Sequence, residues 1–238
     1  MSAFSYRAGL KAGIPIGLGY LSVSFAFGMM AHSVGLPIWV AVLISMTNLT
    51  SAGQLAGLTL IASGAGFLEM ALTQLIINLR YALMSLSLSQ KLHRSVTLLD
   101  RMCIAFGNTD EIFALASSTP GELGKRYLYG LITIPYIGWA LGTLLGAFAG
   151  ELLPATVTSA LGIAIYAMFL AIIVPPAKKY RPILKVILCA VLFSCLFRWV
   201  PGLNRLSAGF VIILCALFAA GLGAFLFPLQ EERGDERA

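Results

Sequence analysis

The stretch FLEMALTQLIINLRYALMSLSLS, Phe67–Ser89, decides how the rest of the chain is read. At 1.5 Å per residue, about 20 helical residues cross a hydrocarbon core of roughly 30 Å, so this segment has the length of a membrane span. It nevertheless carries Glu69, Thr73, Gln74, Asn78 and Arg80, with Asn78 near its middle. At about 100° per residue, Glu69, Thr73, Arg80 and Ser87 share one face, while Gln74, Asn78, Ser85 and Ser89 share the opposite one. Neither stripe suits lipid, so the pattern predicts a central helix flanked by protein or water on both sides. An ionisable residue at this depth is costly and marks a functional site by default. The structural alternative is an ion pair, or a tilted helix that lets Arg80 snorkel.

Working outward, the whole chain fits a membrane setting. It has 238 residues, of which 59% are hydrophobic and only 11% charged. Soluble domains carry about a quarter charged residues. The fold class is therefore all-α, a polytopic helical membrane protein. Long apolar runs exclude a β-barrel, whose strands would alternate in polarity. The net charge of +6 sits in loops beside apolar spans, as expected of positive-inside loops rather than of a nucleic-acid binder. The start, MSAFSYRAGLKAG, runs into the first apolar segment without a small-residue cleavage site and reads as a span, not a removable signal. Cys103, Cys189, Cys195 and Cys215 lie in apolar segments without metal-ligand spacing and are expected to be buried free thiols. Neither a metal nor a cofactor is implied.

Eight apolar segments are visible: 13–31, 38–63, 67–89, 102–117, 127–150, 155–174, 183–199 and 206–227. Polar runs interrupt two of them. In 38–63 the run is Thr47-Asn48-Leu49-Thr50-Ser51-Ala52-Gly53-Gln54, and in 102–117 it is Gly107-Asn108-Thr109-Asp110-Glu111. Ser51 with Gln54, and Asn108 with Glu111, have the spacing of a helix N-cap and its partner three positions on. Helix starts within a membrane mean broken helices, whose free N–H groups face a cavity rather than lipid. Loop charges bear on the topology. If every segment crossed, Lys91, His93, Arg94 and Arg101 would lie opposite Lys125, Arg126, Lys178, Lys179 and Arg181. If the two interrupted segments return to the side they came from, all these clusters share one face with Arg7, Lys11 and the tail, and only Arg198 and Arg205 dissent. The expected architecture is about six full spans plus two interrupted or re-entrant segments. Residues 1–229 would form a single transmembrane domain, 230–238 a charged cytoplasmic tail, and both termini would be cytoplasmic.

Two smaller patterns accompany this. Gly13-Ile-Pro-Ile-Gly-Leu-Gly-Tyr20 is echoed by Thr133-Ile-Pro-Tyr-Ile-Gly-Trp139, a match too short to establish a repeat. Gly142, Gly146 and Gly150 have the small-xxx-small spacing of close helix contact.

The candidate chemistry gathers at the interruptions. Backbone donors at the Ser51 helix start, with Asn48, Thr50 and Gln54, suit an anionic group such as a carboxylate. Asp110 and Glu111 suit pairing with Arg80, a substrate ammonium, or a proton, and the sequence does not choose between them. Glu69 shares a face with Arg80, yet about 16 Å of helix rise separates the two, so they are no direct pair. Only His32 and His93 exist, and no HExxH, P-loop or glycine-framed nucleophile is present, so an enzyme is not expected. Transport explains intramembrane polar residues in an apolar chain. The alternatives are an uncoupled channel or facilitator, or a scaffold subunit of a membrane complex.

Several motifs resemble a known family, the large subunit of the branched-chain amino-acid exporters (AzlC-like). They are Gly13–Tyr20 with Phe25-Ala-Phe-Gly28, Ser51-Ala-Gly-Gln54, Asn78-Leu-Arg80 followed by Leu83-Met-Ser-Leu-Ser-Leu88, and Thr109-Asp-Glu-Ile-Phe-Ala-Leu115. The resemblance spans most of residues 5–175. It implies export of leucine, isoleucine, valine or a similar small zwitterionic substrate across the bacterial inner membrane. It also implies coupling to the proton gradient and a small membrane subunit (AzlD-like) as partner. One departure stands out. Family members often carry an aromatic-Ala-Gly-Ala-Ala-Gln-Phe run where this chain has Asn48-Leu-Thr-Ser-Ala-Gly-Gln-Leu55, and the added hydroxyls make that pocket more polar.

Overall fold

The computed structural model describes residues 5–153, 170 and 173–227. Every regular element among them is a helix, apart from an isolated bridge between Leu92 and Leu123. The helices are α1 (Tyr6–Ser33), α2 (Ile38–Thr47), α3 (Ser51–Ala62), α4 (Phe67–Ser89), α5 (Leu98–Phe106), α6 (Asp110–Ser118), α7 (Lys125–Leu152), α8 (Arg181–Trp199) and α9 (Ala208–Leu226). Five of them, α1, α4, α7, α8 and α9, are long and apolar enough to cross a membrane, while α2 and α3 are shorter apolar helices. The expected segment 155–174 and the charged tail 230–238 lie mostly or wholly outside the described residues. The chain divides into two compact units, Met1–Gly64 with Ile77–Met168, and Ala65–Ile76 with Phe169–Ala238.

The first unit is built on α1 and α7. Their contacts run in the same order along both chains, from Tyr6 beside Gly130 to His32 beside Gly150, so the helices are parallel. Glycines allow the approach. A Cβ placed on Gly13 would stand 2.7 Å from the Leu131 carbonyl oxygen, and one on Gly138 would stand 2.5 Å from that of Gly17. Closely packed backbones replace the hydrophobic drive that lipid removes. The small-xxx-small stripe at Gly142, Gly146 and Gly150 thus does what its spacing predicts. Pro15 and Pro135, the centres of the Ile-Pro echo, fall on facing stretches of the pair, with Gly13 against the Pro135 ring.

Both interrupted segments fold back as hairpins. In α2–α3, Gln54 Nε2 reaches Ser45 Oγ at 2.9 Å, whereas nine residues of unbroken helix would separate them by about 13 Å. Leu55 and Leu58 return along Ala41 and Ile44 to pack on Phe27 and Ala31 near the end of α1. The tip, at Asn48–Thr50, lies level with the middle of α1, where Leu49 packs on Tyr20 and Trp139. The α5–α6 hairpin comes from the other end. Ile104, Ile112 and Ala116 pack with Ala8, Leu88 and Tyr127, and its tip, Gly107–Thr109, also comes up to Tyr20. Arg7, Lys11, Lys91, Arg94, Arg101, Lys125 and Arg126 belong to segments converging on that second end, where α1 and α7 begin and α4 finishes. The Ala8–Leu88–Val96–Tyr127 cluster marks it.

In the second unit α8 and α9 run antiparallel, with Phe193 stacked on Phe218 at 5.4 Å between centroids. A Cβ on Gly223 would meet Val186 at 2.8 Å. The helices join through a tight turn in which Gly202 takes a φ of 95°, a left-handed value that glycine supplies without strain.

Four expectations are corrected. α1 starts at Tyr6 rather than Gly13, because its first polar turns pack on α7 even though they are not apolar: Tyr6 Oη meets Thr133 Oγ1 at 3.0 Å. α5 starts at Leu98 rather than Met102, fixed by a capping box of Thr97 and Asp100. Within the first unit the central helices are α1 and α7, not α4, whose Leu79, Leu83 and Leu86 are exposed there. α4 has no glycine stripe with which to draw another backbone close. Cys103 is exposed and the other three cysteines are half-buried, all of them free thiols.

Candidate functional site

The two hairpin tips, with the middle of α1, α4 and α7, form one polar cluster in the first unit. Its parts follow from local structure. The N-cap of α3 is Thr50, not Ser51: Thr50 is extended and its Oγ1 accepts the Gly53 N–H at 3.3 Å. That releases Gln54 from a capping role. Gln54 is 2% exposed; its Oε1 accepts the Trp139 indole N–H at 3.1 Å and its Nε2 donates to Ser45. Ser45 Oγ in turn bonds Thr143 Oγ1 at 2.6 Å. Ser51, in the first turn of α3, and Asn48, at the end of α2, are half-buried at the same tip.

The N-cap position of α6 is Thr109 rather than Asn108, and no side chain caps the helix. The candidate caps are turned elsewhere. The Tyr20 hydroxyl donates to Glu111 Oε2 and is also hydrogen-bonded to Thr109 Oγ1. Asn108 Nδ2 donates to Ser85 Oγ at 3.1 Å. Asp110 and Glu111 occupy the first turn, where negative charge suits the helix dipole.

α4 supplies the cation. The Arg80 guanidinium pairs with Asp110 Oδ2 at 2.8 Å and lies 4.9 Å over the Tyr81 ring. It also donates to Tyr81 Oη at 3.2 Å, and that hydroxyl donates to Thr50 Oγ1 at 3.2 Å. The line Thr50–Tyr81–Arg80–Asp110 therefore ties the tip of one hairpin to the tip of the other. Side chains of Arg80 and Asp110 remain 47% and 42% exposed, so the pair is reachable.

Of the residues singled out from sequence, the structure thus brings together Thr50, Gln54, Arg80, Asp110 and Glu111, with Asn48 and Ser51 at the tip beside them. Asn78 is half-buried on α4, on the flank opposite Arg80. Glu69 belongs to the second unit, where its Oε1 accepts the Gly209 N–H at 2.8 Å at the start of α9, a helix-capping contact.

Sequence reasoning passed over Tyr20, Tyr81, Trp139, Ser45 and Thr143. For two of them a signal existed: the Ile-Pro echo places Tyr20 and Trp139 at matching ends of its two copies. Their rings meet edge to face, 5.0 Å between centroids at 72°.

The AzlC protein family matches residues 15–153. The chain belongs to the AzlC family. The matched region takes in the cluster from Tyr20 to Thr143 and ends before α8 and α9. Among relatives, an uncharacterised membrane protein of Archaeoglobus fulgidus is 34% identical over 175 residues, covering 73% of this chain and 76% of that protein. The inner membrane protein YgaZ of Escherichia coli is 29% identical over 236 residues, covering 93% and 91%. A Helicobacter pylori membrane protein, also uncharacterised, is 27% identical over 141 residues, covering 58% and 61%. No solved structure matches the chain. This AzlC-family chain is a helical membrane protein.

Proposed function

We propose that the chain is the large subunit of a secondary transporter that exports branched-chain or similar small apolar amino acids, driven by the proton gradient. The observation that carries this reading is the convergence of two broken helices on the Arg80–Asp110 pair, level with the middle of α1 and α7. Transporters place substrate sites near the membrane midplane where interrupted helices meet.

The pair has the chemistry of a zwitterion. An amino acid arriving there can exchange its carboxylate for Asp110 on Arg80 and its ammonium for Arg80 on Asp110, so no charge is left unpaired in a poorly solvated place. The α3 start at Thr50–Ser51, with Asn48 and Gln54, offers further donors to the carboxylate. Leu49 and Tyr136 provide apolar surface for the side chain at the same tip. Of the two carboxylates at this tip, Asp110 is paired with Arg80 and Glu111 with the Tyr20 hydroxyl.

The hairpins support a topology of six spans plus two re-entrant segments. In it, the basic end of the first unit faces the cytoplasm with both termini, in the inner membrane. The AzlD-like small subunit is the partner. The reading assigns no enzymatic reaction and no metal or cofactor.

Expression with and without a small-subunit partner, in cells loaded with valine- or leucine-containing dipeptides, tests this directly. Faster appearance of the free amino acid outside, requiring both subunits and the proton gradient, is expected. Unchanged export of every branched-chain amino acid would remove the substrate assignment.

A further inference from the structure

A continuous line of side chains connects Glu111, at the tip of one hairpin, to the body of the other. Tyr20 donates to Glu111, and its hydroxyl is also hydrogen-bonded to Thr109. Its ring rests edge-on against Trp139. Trp139 donates to Gln54, Gln54 to Ser45, and Ser45 is bonded to Thr143. Tyr20, Trp139, Gln54, Ser45 and Thr143 are each buried. The line touches α6, α1, α7, α3 and α2 in turn, and every link but the ring contact is a hydrogen bond.

The Glu111 end is the only one at which a proton changes the bonding rules. An ionised carboxylate only accepts, and so takes the Tyr20 O–H; a protonated one has its own O–H to place. The protonated form keeps an acceptor oxygen too, so the proton takes the charge out of the Tyr20 bond and lets its direction reverse. Charged and titratable groups facing this point are Asp110 on α6, Arg80 and Tyr81 on α4, and Tyr20 on α1. Arg80 is committed to Asp110 at 2.8 Å, which leaves Tyr20 as the partner of Glu111.

We propose that Tyr20 and Trp139 are positioning residues that couple the protonation of Glu111 to the α2–α3 hairpin. Once that bond is weakened or reversed, the Tyr20 hydroxyl turns toward its other partner, Thr109, the ring shifts against Trp139, and the Trp139–Gln54 bond that holds the hairpin loosens. Binding of a proton on one hairpin thereby changes the other. This rests on the proton-coupled export reading and names the parts that would carry the coupling.

The test uses the full chain with its small-subunit partner in phosphatidylethanolamine–phosphatidylglycerol vesicles and radiolabelled valine. Two rates are compared: valine exchange at equal pH on both sides, and net flux under an imposed pH gradient. If the unsubstituted complex shows no gradient-driven flux, the export reading itself falls, and the inference with it. Given such flux, Tyr20→Phe keeps the ring and removes the hydroxyl. The ratio of driven flux to exchange should fall at least about tenfold, the size expected for one hydrogen bond to a charged group. The pH profile of the driven flux should flatten. Trp139→Phe, which keeps an aromatic ring without the indole N–H, should lower the same ratio. An unchanged ratio and pH profile in Tyr20→Phe overturns the proposal. So does a proportional loss of both rates, which marks a purely structural role. An unchanged ratio in Trp139→Phe overturns the path to the hairpin.

Discussion

Replacing Gln54 with Leu should loosen the α2–α3 hairpin by an amount the structure sets. The side chain is 2% exposed, and Leu has nearly its volume, so the packing change is small. Two hydrogen bonds disappear. Trp139 Nε1 is left as a buried donor without a partner, which costs about 1–3 kcal/mol. Ser45 keeps Thr143 and loses only the net worth of one bond between membrane helices, on average about 0.6 kcal/mol. The expected destabilisation is about 2–4 kcal/mol. Trp139→Phe removes the orphaned donor, so in that background Gln54→Leu should cost at least about 1 kcal/mol less. Unfolding of the purified protein in mixed detergent micelles, followed by circular dichroism, gives all four corners of the cycle. A loss under about 0.5 kcal/mol with no coupling to Trp139 would refute the folded-back hairpin.

Other consequences are as direct. Gly146→Leu puts a side chain where the Phe25 carbonyl lies, while a Cβ on Gly19 meets nothing within 4 Å. Gly146→Leu should therefore cost more than the about 1–3 kcal/mol of ordinary overpacking and reduce the yield of monodisperse protein on size exclusion, with Gly19→Leu unaffected. Equal yields would contradict the parallel α1–α7 contact. Hydrogen bonds from Thr97, the Lys125 ammonium and the Tyr129 hydroxyl hold the Asp100 carboxyl well below the usual carboxylate range. A depressed folded pKa stabilises above the unfolded value, about 3.9, and the gain is lost as pH falls below it. The melting temperature should thus drop between about pH 5 and pH 2, and Asp100→Asn should flatten that drop. Lys91 Nζ donates to the carbonyls of Ser117 and Thr119 at 2.7 and 2.6 Å, closing the C-terminal end of α6. Lys91→Met should speed amide exchange in 116–119 by about tenfold, leaving the tips of both hairpins protected.

Much of the fold was legible because each signal had a direct physical cause. Membrane insolubility of polar backbone makes Asn48–Gln54 and Gly107–Glu111 readable as helix interruptions, and glycine spacing shows the contact face of α7. Arg80, Asp110 and Thr50 were found because charge and capping residues stand out in apolar sequence. Other features depend on which helices meet. The caps moved by one residue, to Thr50 and Thr109, because Gln54 and Asn108 bond across to α2, α7 and α4 instead of to their own turns. Tyr20 and Trp139 look like ordinary apolar aromatics until α1 lies against α7. The centrality of α4 was misjudged because periodicity shows polar faces but not which neighbours reach them.

Arg80 is the cationic half of the proposed substrate site. The most direct test is valine transport by vesicles carrying Arg80→Gln and, separately, Arg80→Gln with Asp110→Asn, each reconstituted with the small subunit. Normal protein abundance is expected, with transport abolished in both. The double variant removes the unpaired carboxylate as an explanation. Transport near the unsubstituted rate in either variant would contradict that role for Arg80.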